Sequence, residues 1–589
     1  MDETKPPPML IDVTELEQQV VDTARRGEVA KPAITMTVEE LAVTDDPDLR
    51  VRADLIRELL RGLRGGLDPR GVRIEGVRVV GQLDLIQVTA VTGLNLSRCA
   101  LPDGIRCEQA HLRYLSLNRS LLAYLSADGL RVDGGLFLRG ATITGAGELG
   151  ALRLLSAHIG GPLELERATI TNTAGPALNA DGLRADDNLL MGGVTFSGAG
   201  ARGAVRLLGA HIGGAFELDQ AAITNTTGPA LNADGLRADS ELFMRAATIT
   251  GAGELGALRL SGAHIGGAFE LDQAAITNTT GPALNADGLR ADSELFMRAA
   301  TITGAGELGA LRLSGAHIGG QASLWSFRLY NSSGPLLELP EAQITGALLF
   351  PPEVVCPASP HGTSRRGCPY SDRTITVHGL TYSTLREISW RQWLHLLVHH
   401  TPTYWPQPFQ QLAATERAAG HDNNAREVLI TQQDELRRRT PEALGNRLAQ
   451  WRHGLWGWLG RYGYRAHRLV AALVVILTLA AGLSLLAGQV TTHPGHHAAE
   501  RVPPATANPN APGTPCSPVE LIGLGIDRGL PSAPPASAPT ATSTPPPAGD
   551  KPSPPPSGYS KPSSGAWPPS PSPPTPDSSA NPPDRHRLT

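Results

Sequence analysis

Leu231-Asn232-Ala233-Asp234-Gly235-Leu236-Arg237-Ala238-Asp239 recurs from Leu178 and from Leu284, with a diverged copy from Leu125. The spacing is 53 residues, and segment 210–262 reappears letter for letter as 263–315. A fixed internal period dictates architecture before any single residue is interpreted. Within the unit the small and apolar residues Leu231, Ala233, Leu236, Ala238, Leu242, Met244, Ala247 and Ile249 follow steps of 2, 3, 2, 4, 2, 3 and 2. The series repeats from Leu258 to Ile276, so each unit is two nearly equal coils, the first opening at Leu231 and the second at Leu258, before the next unit starts at Leu284. A step of 2 keeps both side chains on one face of an extended strand, whereas a helix needs 3 or 4 throughout. Steps of 3 or 4 between such pairs are corners. Longer turns, Thr250-Gly251-Ala252-Gly253-Glu254-Leu255-Gly256 and Thr277-Asn278-Thr279-Thr280-Gly281-Pro282, separate some of them. The pattern predicts a β-solenoid of four short strands per coil, stacked at about 4.8 Å.

Outward from this stretch, the series begins at Val72, Ile74, Val77, Val79, Leu83, Leu85, Val88 and Ala90 and ends from Leu337 at Phe350. Between Leu94 and Val132 the long turn is lost and the steps settle to a shorter, roughly pentapeptide rhythm. Runs such as Ser126-Ala127-Asp128-Gly129-Leu130-Arg131-Val132-Asp133 and Ala180-Asp181-Gly182-Leu183-Arg184-Ala185-Asp186 resemble the pentapeptide-repeat superfamily. That resemblance implies a square, right-handed β-helix and no shared enzymatic activity.

The predicted domains are a helical N-terminal cap over 1–70, a mainly β solenoid over 71–383 interrupted by a loop at 351–373, a helical region over 384–468, a membrane span at 469–490 and a tail at 491–589. In the cap, one helix opens at Thr14-Glu15-Leu16-Glu17 and a second runs from about Asp48 to Leu63, with Val51, Leu55, Ile56, Leu59 and Leu60 along one side. The second is predicted to cover the otherwise exposed first coil. Ile375, Val377, Leu380 and Tyr382 supply a last strand pair. Trp390, Trp393, Leu394 and Leu397 suit a helix, and 406–430 reads as a tetratricopeptide-like hairpin turning at Gly420-His421-Asp422-Asn423.

Leu469 to Val490 is a stretch without a single charge, long enough to span a bilayer. Arg452, Arg461, Arg465 and Arg468 precede it and only Arg501 follows at similar distance, which predicts a cytoplasmic solenoid and an outward C-terminus. Trp451, Trp456, Trp458, Tyr462 and Tyr464 fit an interfacial belt on the cytoplasmic side. From Arg501 onward more than half of the 49 prolines are gathered, a composition that predicts a disordered tail reaching towards the cell wall. No signal peptide precedes the first apolar residues, so the chain is expected to start in the cytosol.

Composition narrows function. The net charge of −5 implies no nucleic-acid partner, and over 72–330 there are 24 acidic residues, 20 arginines and no lysine, a balance that argues against DNA mimicry. Gly-x-Gly-x-x-Gly occurs at 145–150, 198–203, 251–256 and 304–309. A dinucleotide site needs that string between a strand and a helix, whereas each copy here is predicted between two strands, as a turn requiring positive φ. His158, His211, His264 and His317 recur once per unit, two coils and so about 9–10 Å apart, too far to share a metal. Asp128, Asp181, Asp234 and Asp287 with Arg131, Arg184, Arg237 and Arg290 form a second ladder, expected to stabilise corners or solvate the face.

Five cysteines are too few for a disulfide framework; Cys99 and Cys107 fall on inward positions and read as small core residues. Cys356, His361 and Cys368 could ligate zinc, but the set is one ligand short, and reduced thiols are expected in a reducing cytosol. No catalytic residue, cofactor-binding residue or cofactor is expected. The order of cap, β-helix, hairpin and spanning helix also resembles actinobacterial membrane-anchored solenoid proteins, some labelled membrane-associated oxidoreductases. Residues 48–60, the Ala-His-Ile-Gly-Gly coils and 406–430 carry it. The expected function is a membrane-tethered, non-enzymatic scaffold with a protein partner on a solenoid face; the alternative is an oxidoreductase using a nicotinamide or flavin cofactor.

Overall fold

The computed structural model describes residues 10–32, 36–357, 368–464, 466–501 and 513–529. It divides into two compact units, Met1–Val474 and Val475–Thr589.

In the first unit the repeat folds as a parallel β-solenoid of about twelve turns. One turn comprises Leu242–Phe243, Thr248–Gly251, Leu258–Arg259 and His264–Ile265, and each strand pairs in parallel with its counterpart in the next coil. Leu231 lies opposite Leu258 and Leu258 opposite Leu284, which is the alternation of two coils that the sequence series requires. Two of the four sides are 12-stranded sheets. The other two merge into a 22-stranded sheet because Gln343–Leu349 pairs with both His317–Ile318 and Ala322–Ser323. The early coils are shorter, with Leu94 opposite Leu115, as the loss of the long turn requires.

Every inward residue of the series from Leu231 to Ile276 is at most 1% exposed. Like stacks on like: Ile223, Ile249, Ile276 and Ile302 form one column of β-branched side chains, which suit a pleated, buried surface. Cys99 and Cys107 are fully buried in this core, and burial raises both thiols, Cys99 to about 12.

The N-terminal cap differs in two respects from the expected pair of helices. Helix α1 (Glu15–Arg26) opens with a capping box between Thr14 and Glu17 and closes on Gly27 at φ 69°. A short α2 (Val38–Val43) follows. The second long helix does not start at Asp48: Arg50–Arg52 is a strand, pairing with Arg78–Val80 of the first coil, and α3 covers only Ala53–Leu60. Val51 points inward between two outward arginines, so the start of an apparent helical run satisfies the period of a strand and closes the open ladder. Leu55, Ile56, Leu59 and Leu60 of α3 are buried as expected. The buried Glu17 carboxylate takes the Arg52 backbone N–H at 3.0 Å and its Nε–H at 2.8 Å. Burial pushes its pKa up, but the bonds from Arg52 and Thr14 outweigh that and leave it below the usual carboxylate range.

At the other end Ile375–Thr376 and Thr381–Arg386 complete the last coil. Helix α4 (Trp390–His399) packs on it, with Trp393 edge-on to Phe350 at 5.7 Å and to Tyr382 at 6.0 Å. The hairpin follows as α5 (Pro406–Ala418) and α6 (Asp422–Arg439), then α7 (Arg447–Gly460). Of the expected interfacial aromatics, Trp451 and Trp456 are exposed, while Tyr462 donates to Asp434 on α6 at 2.8 Å.

Helix α8 (Ala466–Gln489) contains Val470–Gln489, whose mean hydropathy of 2.6 and length of 20 residues make it long and apolar enough to cross a membrane. Beyond it, the region expected to lack structure contains a small hairpin of Thr491–His493 with His496–His497 and a helix, α9 (Pro518–Gly529). Gly525 explains the helix: a Cβ there would meet Ala481 Cα at 2.6 Å, so the small residues let α9 and α8 touch backbone to backbone. The rest of the tail lies outside the described residues.

Candidate metal centre

After Phe350 the chain leaves the solenoid, makes a 3-10 turn at Pro352–Val354 and reaches Cys356. It returns at Cys368, ahead of the last coil. Helix α4 packs against the Pro352–Val354 turn and contributes His395, while His400 stands at its C-terminal cap. Cys356, Cys368, His395 and His400 offer four ligand atoms that all lie within 4.8 Å of one another. Cys356 Sγ is 3.6 Å from Cys368 Sγ and 3.8 Å from His395 Nε2, and Cys368 Sγ is 3.5 Å from His400 Nε2. Cys356, His395 and His400 are buried, and Cys368 is half-buried.

The sulfurs are well beyond the ~2.05 Å of a disulfide. The orientation of His400 is set from behind, because its Nδ1 lies 2.7 Å from the Arg373 carbonyl, leaving Nε2 towards the thiols. The His400 backbone carbonyl also accepts from Ile375 N–H at 2.8 Å, which ties the residue to the last coil. Burial, then the neighbouring His399 and His400 rings, hold His395 down at about 4, so at neutral pH it is an uncharged imidazole. Two thiols and two neutral imidazoles are the soft and borderline donors that select zinc over calcium or magnesium.

Sequence reasoning found two of these four ligands. His361 lies outside the described residues, and the other two ligands are His395 and His400, which the sequence reading did not single out. The available signal was the His395-x4-His400 spacing close behind two cysteines.

The remaining candidates resolve into solenoid architecture. The glycine strings are corners: Gly145, Gly198, Gly251 and Gly304 each end a strand, and the next strand follows at Leu152, Val205, Leu258 and Leu311. Gly150, Gly203 and Gly256 have φ of 129°, 143° and 143°; in the last copy Gly306, at 104°, takes that role instead of Gly309. A Cβ on Gly251 would lie 2.9 Å from the Ala257 Cα, so the first glycine permits a close approach across the turn. Among the described residues no helix follows these corners, which removes the geometry by which such a string holds a pyrophosphate.

The histidines alternate with arginines, His158, Arg184, His211, Arg237, His264, Arg290 and His317 standing side by side on one face. Asp186 lies 2.8 Å from His158 Nε2 and accepts from Arg184 Nε at 2.7 Å; Asp239 and Asp292 repeat the arrangement. The bonds from His158, then Arg184, hold Asp186 below the usual carboxylate range. The second expected ladder is therefore split. Arg184 serves Asp186, while Asp181 pairs with Arg206 of the next coil, Asp128 with Arg153, Asp234 with Arg259 and Asp287 with Arg312. Side chains on either side of a corner diverge, whereas neighbours in adjacent coils are one strand spacing apart.

One row escaped notice in the sequence. Asn172, Asn225 and Asn278 are at most 3% exposed, and each donates its amide to two carbonyls, those of Gly147 and Pro176, Gly200 and Pro229, and Gly253 and Pro282. Compared with known proteins, the chain matches no family model, no curated sequence and no solved structure.

Proposed function

We propose that this chain is a membrane-tethered, non-enzymatic scaffold that presents a solenoid face to another protein. The observation that supports it most is the row of alternating His and Arg side chains with its shared Asp residues, repeated coil after coil along one face. A solenoid whose interior is filled by Leu, Ala, Ile and Phe leaves its outer surface to do the recognising, and such surfaces suit extended protein partners. A second feature fits: a shallow groove of about 680 Å³ follows one corner, lined by Arg119, Arg139, Glu166, Arg167, Glu217 and Asp219. Its mixed charge favours a polar protein surface over a nucleic acid.

Helix α8 supplies the tether, and the arginines ahead of it keep the solenoid on the cytoplasmic side. The C-terminal segment then faces outward, towards the wall. The resemblance to membrane-anchored solenoid proteins points the same way.

The test is proximity labelling in living cells with a ligase fused to the N-terminus of the full chain. The expected result is a cytoplasmic protein partner whose labelling is lost when Arg237 and Arg290 are both changed to Glu, while the chain stays in the alkali-resistant membrane fraction. A soluble chain, or a saturable thermal shift with NADH or a flavin that is lost on changing the glycine corners, would contradict the proposal.

A further inference from the structure

We infer that Cys356, Cys368, His395 and His400 bind one zinc ion as a closed structural site that clasps the C-terminal helices to the last coil. Three observations carry this independently of the scaffold reading. The first is metric. With Zn–S bonds of about 2.3 Å and Zn–N bonds of about 2.0–2.1 Å, a tetrahedron has S···S edges of about 3.8 Å and S···N edges of about 3.6 Å. The measured edges are 3.6 Å between the sulfurs and 3.8 and 3.5 Å from sulfur to imidazole. Three of the six edges therefore match a zinc tetrahedron, and all four donors lie within 4.8 Å of one another.

The second is the supporting shell. The Arg373 carbonyl fixes His400 through Nδ1, the arrangement by which zinc-ligating imidazoles are oriented. The His395-x4-His400 spacing falls in the range seen where two histidines of one helical segment bind the same ion.

The third is topological. The excursion from Phe350 to Arg373 falls just before the strands that complete the last coil, Ile375–Thr376 and Thr381–Arg386, and its Pro352–Val354 turn packs against α4. The two thiols lie on that excursion and the two imidazoles on α4 and its cap, so one ion joins the excursion to the capping helix. All four positions are filled by protein, leaving none for water or substrate, which makes the site structural and not catalytic.

The site is tested on the full chain purified in detergent with reductant present, by metal analysis and by exchange with cobalt(II). The expected result is about one zinc per chain, and after exchange the intense visible bands of tetrahedral cobalt with a thiolate charge-transfer band in the near ultraviolet. Cys368→Ser and His400→Gln should reduce bound zinc from about one per chain to near none while the β-sheet circular dichroism of the solenoid persists. Chelation of the wild-type chain should speed tryptic cleavage at Arg386 and Arg391, a readout that does not depend on any variant folding. Metal-free chain with reduced thiols that ignores added zinc would overturn the inference, as would a Cys356–Cys368 disulfide trapped directly from intact cells. Loss of the protein partner alone would leave the zinc content unchanged, so this site and the scaffold function fail separately.

Discussion

Ile56→Asp is expected to abolish soluble, folded protein. Ile56 is 0% exposed, on the side of α3 that covers the first coil together with Leu55, Leu59 and Leu60. Removing the isoleucine forfeits about 2–3 kcal/mol of apolar burial, and the carboxylate adds the cost of a buried, unpaired charge. Together these exceed about 5 kcal/mol, comparable with the whole stability of many domains. The position magnifies the loss. Coils of a solenoid contact only their neighbours, so an end that opens leaves a bare parallel edge ready to pair with another chain. Ile56→Val at the same site should cost only about 0.5–1.5 kcal/mol. Urea unfolding followed by circular dichroism separates the two, and wild-type solubility and midpoint for Ile56→Asp would show that α3 is not the cap.

The second large effect is expected at Asn278. Its amide donates to the Gly253 carbonyl at 2.7 Å and to the Pro282 carbonyl at 2.5 Å, and its own carbonyl oxygen lies 3.4 Å from Thr280 N. Gly253 belongs to the previous coil, so this side chain pins one long turn onto the next. Asn278→Ala removes two buried hydrogen bonds, at about 0.5–1.5 kcal/mol each and so about 1–3 kcal/mol in total, and leaves each carbonyl with one backbone donor, Gly256 N–H at 3.2 Å and Ala257 N–H at 3.1 Å. Asn278→Asp should be at least as costly, because a carboxylate replaces the donor opposite two carbonyl oxygens. The measurement is again the urea midpoint. An unchanged midpoint in Asn278→Ala would mean that water substitutes for the amide and that the row is incidental.

The architecture was legible because a step of 2 followed by a corner has no helical counterpart, and the eight-position series fixed both the coil length and the register. The same series assigned the glycine strings to corners. The strand Arg50–Arg52 was hidden because it sits inside an amphipathic run that continues as α3, and only the unpaired edge of the first coil calls it into a sheet. The asparagine row was written in every copy, four positions before proline. Its meaning depends on which carbonyls a turn directs inward, and spacing alone does not tell that. The metal centre was half-visible. Cys356 and Cys368 stood out, but His395 and His400 come from a segment beyond the last coil, and only the docking of α4 against the Pro352–Val354 turn brings them together. The histidine ladder was legible as a row spaced too widely to share a metal, yet its aspartate partners come from the next coil, a proximity that distance along the chain conceals.

The central claim is that the solenoid is a stack of interchangeable two-coil units, each contacting only its neighbours. Its most direct test is the full chain without residues 263–315, spin-labelled through cysteines placed at the exposed Arg61 and Ser383 and measured by double electron–electron resonance. The account predicts a cooperatively folded protein in which the interlabel distance shortens by about 9–10 Å, two strand spacings. An unchanged distance, or aggregation of the shortened chain, would contradict it.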